Sequence, residues 1–76
     1  MREKLANLCH EQWANWMNYM FSKGMFNDDG SWTLQIEFVE RWKRQMNTPY
    51  SLLSKPEQDS DRAEADKFIE VFKSEE

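Results

Sequence analysis

Apolar side chains recur at every third or fourth position in three separate stretches of this 76-residue chain. That spacing puts them on one face of a helix, so each stretch is predicted to form an amphipathic helix with an apolar face to bury. The sequence therefore predicts an all-α fold, a compact bundle of three helices with short loops, as a single domain over residues 1–76.

The first helix is predicted over Arg2–Lys23, with Gly24 at its end in the left-handed conformation that glycine tolerates. The polar segment 27–31 that follows contains asparagine, aspartate, glycine and serine, and it is predicted to form a turn. Residues 32–34 are too few to predict a strand, although a brief extended pair there stays open.

The second helix is predicted over residues 34–46, because Pro49 disfavours helical geometry at the residue before it. A linker over residues 47–53 leads to the third helix, which begins with a capping box formed by Ser54 and Glu57. The stripe that this third helix is predicted to bury consists of Ala65, Phe68, Ile69 and Phe72.

The formal net charge of −4, from ten basic and fourteen acidic residues, argues against binding of duplex nucleic acid. A local basic cluster of Arg41, Lys43 and Arg44 could face a small anion. One cysteine excludes an internal disulfide, one histidine gives no ordinary zinc set, and no apolar run is long enough to span a bilayer. We therefore expect a cytoplasmic protein without a metal, a cofactor or a membrane segment.

Four tryptophans are more aromatic surface than so small a core usually needs. A tryptophan buries a large flat face and keeps a polar N–H, so it suits both packing and recognition. Packing explains most of these rings, and at least one is left for recognition. A chain this short also gains little net stability from one core, which leaves homo-oligomerisation open.

Two polar and aromatic segments share an order that is found in a known family. They are Cys9-His10-Glu11-Gln12-Trp13 on the first helix and Pro49-Tyr50-Ser51-Leu52-Leu53-Ser54, followed by Gln58, Ser60, Asp61 and Arg62. This pairing resembles the ryanodine receptor repeat domain, most of all the short single-repeat versions found in phage and bacterial genomes. Residues 24–30 stand where the receptor repeats carry a Trp-x-Tyr-Gly element.

The resemblance implies a non-catalytic module, from a family associated with protein contacts, with nucleotide-type ligands and with conflict between phage and host. The leading hypothesis is that the protein binds and sequesters a small nucleotide-type ligand, such as a host immune signal, through His10, Trp13, Tyr50 and Arg62. The alternative is a protein-interaction module that inhibits or redirects a host factor through a methionine and tryptophan surface rimmed by acidic residues.

Simpler roles stay open for the two polar members of this predicted site. Cys9 and His10 point about 100° apart on a helix, so they cannot act as a nucleophile and its base. His10 could instead donate a hydrogen bond to the linker near Tyr50, and Arg62 could simply pair with Asp66 along the third helix.

Overall fold

The computed structural model describes residues 1–74, which form three α-helices, a short 3₁₀ helix and a two-stranded sheet. The predicted all-α bundle of three helices with short loops is confirmed. Helix α1 spans Arg2–Lys23, as predicted, and ends at Gly24.

Gly24 has an extended backbone, with φ −99° and ψ −169°, so the predicted left-handed cap is wrong. A Cβ atom at this position would collide with the indole of Trp32. Glycine is needed here because the indole approaches the backbone closely, and this reason depends on the fold rather than on helix termination.

A small hairpin follows α1 and pairs two antiparallel strands, β1 (Met25–Phe26) and β2 (Trp32–Thr33). The predicted turn between them is confirmed, since the Asn27 amide donates to the Ser31 carbonyl oxygen at 2.7 Å. Gly30 lies in this turn with φ +88°, which glycine adopts without strain. The extended pair that the sequence left open is therefore present.

Helix α2 spans Ile36–Met46 and begins two residues later than predicted, because the backbone of Gln35 is still extended (φ −67°, ψ 150°). Past its end, the Asn47 side chain donates to the Lys43 carbonyl oxygen at 2.9 Å. The linker then contains the 3₁₀ helix Tyr50–Leu52.

Helix α3 spans Lys55–Ser74, and the predicted capping box at its start is confirmed. The Ser54 hydroxyl and the Ser54 amide both donate to a carboxylate oxygen of Glu57, at 2.8 and 3.1 Å. The Glu57 amide in turn donates to the Ser54 hydroxyl at 3.4 Å. These bonds satisfy backbone groups that a helix start leaves open.

Helices α1 and α3 run antiparallel, so that Leu8 lies near Val71 and Trp16 lies near Asp61. Helix α2 packs across one end of this pair. Its Trp42 ring contacts the Trp16 ring at a centroid distance of 5.9 Å. A salt bridge of 2.8 Å between Arg44 and Glu57 ties α2 to the start of α3.

The three helices form a flat plate measuring 50 × 32 × 16 Å. Leu8 is the one buried side chain within residues 1–74. The prediction that the stripe on α3 is buried is wrong, since Ala65, Ile69 and Phe72 are exposed and Phe68 is half-buried.

The cause lies in the direction from which α1 approaches α3. The half-buried side chains of α3 include Glu64, Phe68 and Val71, which share one face of the helix. Neighbouring residues on a helix point about 100° apart, so Ala65, Ile69 and Phe72 turn away from that contact, whereas Phe68 stays at its edge. The spacing of apolar residues predicts the apolar face of α3 correctly, but α1 covers only the edge of that face.

Candidate functional site

A groove with a volume of about 530 Å³ opens where α1, α2, the linker and α3 meet. Its lining is mostly apolar. This groove is lined by the aromatic residues Trp16, Trp42 and Tyr50, the aliphatic residues Met20, Met46 and Leu53, and the polar residues Gln45, Thr48 and Asp61.

Helical spacing explains how distant parts of the sequence meet in the groove. Trp16 and Met20 are four residues apart on α1, and Trp42 and Met46 are four apart on α2, so each pair shares a face of its helix. Pro49 ends the helical path and starts the turn that brings Tyr50 alongside them.

The two indole rings of the groove contact each other and also neighbouring rings outside it. Trp16 stacks on Tyr19 at a centroid distance of 5.2 Å, and Trp42 lies 5.9 Å from Trp16 and from Phe38. These distances are those of directly packed rings, so no gap is left between the two tryptophans for a flat ligand to enter. A ligand can therefore contact only the outer faces and edges of these rings, which form one side of the groove.

The groove keeps much of its apolar lining open to solvent. Trp16 is 49% exposed, Tyr50 46% and Met46 76%. The charged member of the lining is Asp61, whose carboxylate makes no ion pair or hydrogen bond with any residue of 1–74. An open apolar wall beside an unpaired carboxylate suits an apolar ligand that carries a positive charge.

His10 and Trp13, two of the predicted site residues, form a pair of their own on α1. Their rings stack at a centroid distance of 6.1 Å, both are exposed, and neither lines the groove. Within residues 1–74 the His10 imidazole makes no hydrogen bond, so the predicted bond to the linker near Tyr50 is absent. His10 precedes Trp16 by six residues, which turns it about 120° around α1 and shifts it about 9 Å along the axis.

Tyr50 and Arg62 form the second pair of predicted site residues, at the side of the groove. The Tyr50 hydroxyl, and after it the Asp59 carboxylate, raises the pKa of Arg62 above its ordinary value. Arg62 donates to Asp59 at 3.1 Å, so the predicted pairing with Asp66 is replaced by a pairing one turn in the other direction. The structure thus brings the four predicted residues together as two pairs, and Tyr50 alone of them lines the groove.

The predicted basic cluster on α2 is largely occupied by neighbours. Arg41 donates to the Tyr19 hydroxyl at 3.2 Å, and its guanidinium lies over the Phe38 ring. Arg44 is in the salt bridge with Glu57, whose pKa is lowered by the Ser54 hydroxyl first and by Arg44 second. Both arginines therefore support the packing of α2.

Sequence reasoning missed most of the groove. Packing is the predicted role of most of the tryptophans, and Asp61 enters the prediction only through the motif that resembles the ryanodine receptor repeat. The spacing of apolar residues identifies these faces but carries no information about which parts of them stay uncovered. The four tryptophans were the one signal, since they exceed what a small core needs.

No group of three histidine, cysteine, aspartate or glutamate residues that could hold a metal ion occurs within residues 1–74. None of the helices described here is long and apolar enough to cross a membrane. The chain matches no protein-family model, no curated protein and no solved structure.

Proposed function

We propose that this protein is a non-enzymatic binding module whose groove holds an apolar segment of a partner protein, with a basic side chain of that segment beside Asp61. The observation that carries the proposal is the open apolar lining, in which Trp16, Met46 and Tyr50 stay exposed next to an unpaired carboxylate. Interfaces are enriched in such aromatic and methionine side chains at their centres. The resemblance to phage single-repeat modules favours a host protein as the partner.

An amphipathic helix is the form of segment that fits the groove best. Such a helix buries side chains spaced at three or four residues in an apolar groove and keeps its polar face in water. Met20, Met46 and Leu53 supply flexible or branched contacts that repack around different side chains. The net charge of −4 attracts a basic segment from a distance.

A nucleotide-type ligand, the leading hypothesis from the sequence, finds less support in the groove. A phosphate is best met by a free guanidinium fork, but Arg62 donates to Asp59 and Arg44 is in a salt bridge with Glu57. The charge that lines the groove is the carboxylate of Asp61, which repels phosphate.

The proposal is tested by an NMR titration with a synthetic amphipathic peptide that carries leucine on one face and lysine on the other. The indole N–H signals of Trp16 and Trp42 are expected to shift saturably. The signal of Trp32, which lies in the hairpin and packs on Phe21 of α1, is expected to stay in place. A scrambled peptide of the same composition is the control, and equal shifts with both peptides would contradict a groove that reads an amphipathic helix.

Two matched variants separate the groove from general charge attraction. Asp61→Asn and Asp66→Asn each remove one exposed carboxylate from α3, but only Asp61 lines the groove. Asp61→Asn is expected to weaken peptide binding about two- to fivefold, as loss of an exposed ion pair does, and Asp66→Asn to leave it unchanged. Equal weakening of peptide binding by the two variants would show that the peptide is attracted by the overall charge rather than by Asp61.

A parallel titration uses a panel of nucleotides and cyclic nucleotides. We expect no saturable shift of the groove signals from any of them. If a nucleotide shifts the signals of Tyr50 and His10 saturably while the amphipathic peptide shifts nothing, the groove does not bind a protein segment and nucleotide sequestration takes its place.

A further inference from the structure

The two faces of the plate differ in character. The groove lies on one face, while the other carries a shallow depression that is lined by polar side chains such as Asn7 and Glu11. Trp16 on α1 and Asp61 on α3 both line the groove, so their side chains lie on the groove face of the plate. Residues at steps of three or four from these two positions continue that face along each helix.

An apolar stripe runs along each of the two helices beyond the groove. On α1 it contains Leu5, Cys9 and Trp13, and on α3 it contains Ala65, Ile69 and Phe72. Trp13 is 59% exposed, Phe72 52% and Ile69 47%. Leu5 is half-buried and the other five side chains are exposed, so the two stripes together form a largely uncovered apolar strip, which we call the arm surface.

The arm surface lies on a part of the plate that has only two helices. The contacts of α2 with its neighbours lie at Trp16 and Tyr19 on α1 and at Glu57 on α3. The first half of α1 and the second half of α3 therefore pack on each other alone. Two helices that pack only on each other bury little apolar surface. A stable domain covers the apolar face of one layer with a second layer, and this part of the plate has none.

The whole chain exposes more surface than a folded monomer of its mass, and this excess is large enough to include a dimer interface. The chain exposes 6233 Å², whereas a folded monomer of 9.2 kDa is expected to expose about 4,900 Å². The excess of about 1,300 Å² exceeds the roughly 800 Å² that each partner buries in an interface of standard size.

We propose that a second copy of this chain covers the arm surface, so that α1 and α3 of the two copies form a symmetric four-helix bundle. In a two-fold contact the same surface meets itself, so it must carry no like charges at its centre. The six residues of the arm surface are uncharged. The small side chains of Cys9 and Ala65 leave room for the large rings of Trp13 and Phe72 from the other copy.

This assembly goes beyond the proposed function and does not depend on what the groove binds. The groove lies at the α2 end of the plate, and the arm surface lies along the remaining length of α1 and α3. A dimer of this kind leaves one groove at each end of the four-helix bundle. Each pair of subunits would then offer two binding sites to its partner.

The test compares two alanines of α3 that are both exposed and lie two residues apart, Ala65 on the arm surface and Ala63 about 200° around the helix. Sedimentation velocity of the wild type is expected to give twice the chain mass of 9.2 kDa. Ala65→Glu is expected to raise the dimer dissociation constant by at least about 30-fold, since a charge would be buried, while Ala63→Glu leaves it unchanged. Circular dichroism checks that both variants keep their helices.

The proposal is overturned if the wild type sediments at 9.2 kDa up to about 500 µM, or if both variants behave alike. A second measurement does not depend on how a variant folds. In a mixture of isotope-labelled and unlabelled wild type, intermolecular NOEs are expected between Phe72 or Ile69 of one copy and Cys9 or Trp13 of the other. Intermolecular NOEs confined to the groove residues, or to the polar face, would place the interface elsewhere and refute the proposal.

Discussion

Replacing Gly24 with alanine tests how the hairpin is seated on α1. A Cβ atom at Gly24 would collide with the Trp32 indole, which packs edge-on against the Phe21 ring at 5.5 Å and whose Nε1 donates to the Phe21 carbonyl oxygen at 3.4 Å. The indole cannot retreat without losing these contacts. Gly24→Ala is therefore expected to displace the ring or to strain the backbone that holds it.

Two opposing effects set the magnitude. The backbone angles of Gly24, φ −99° and ψ −169°, suit alanine, which by itself stabilises by about 0.4–1 kcal/mol through a less flexible unfolded chain. Overpacking against a rigid ring costs about 1–3 kcal/mol. The net expectation is a loss of about 1–2 kcal/mol in the free energy of unfolding, or roughly 5–15 °C in Tm for a chain of this size.

The assay is urea unfolding followed by circular dichroism at one fixed protein concentration, because self-association would make stability depend on concentration. Trp32→Val removes the colliding ring atoms. In that background Gly24→Ala is expected to be neutral or stabilising by up to about 1 kcal/mol. An unchanged or raised stability of Gly24→Ala alone, or the same loss in the Trp32→Val background, would refute the reasoning.

Two further predictions concern the start of α3 and the groove. The lowered pKa of Glu57 means that its carboxylate stabilises the fold above the pKa of an unfolded glutamate, about 4.3, and that this contribution disappears as the pH falls through the lower folded value. Urea midpoints should accordingly drop less steeply between about pH 5 and pH 2 in Glu57→Gln than in the wild type, and parallel curves would contradict this. Met46→Glu should change the free energy of unfolding by less than about 0.5 kcal/mol, because Met46 is 76% exposed. It should nevertheless raise the dissociation constant of the amphipathic peptide by roughly tenfold. Met25→Glu, on an exposed hairpin residue outside the groove, is its matched control in the same titration, and equal weakening by both would count against the groove.

Local signals in the sequence determined where the helices run. The spacing of apolar residues predicts the course of α1, and Ser54 with Glu57 marks the start of α3. These features act within a few residues of one another, so they are legible in a sequence without knowledge of the fold. The β1 strand was missed because two residues are too short for a pattern.

The candidate site could not be read in the same way. Trp16 and Trp42 stand 26 positions apart, and their meeting depends on how α2 crosses the end of α1. The predicted set of His10, Trp13, Tyr50 and Arg62 separated into two pairs. His10 precedes the groove residue Trp16 by six positions on α1, so its side chain faces a different direction from the groove.

The sequence by itself determined that each helix has an apolar face, since the alternation of side chains around a helix is a local property. The tertiary structure alone decided which part of each face is covered. On α3 the side that carries Glu64, Phe68 and Val71 is half-buried, whereas Ala65, Ile69 and Phe72 are left in solvent. The physical reason is that burial depends on the angle and position at which whole helices pack, and these are set by contacts between residues far apart in the chain.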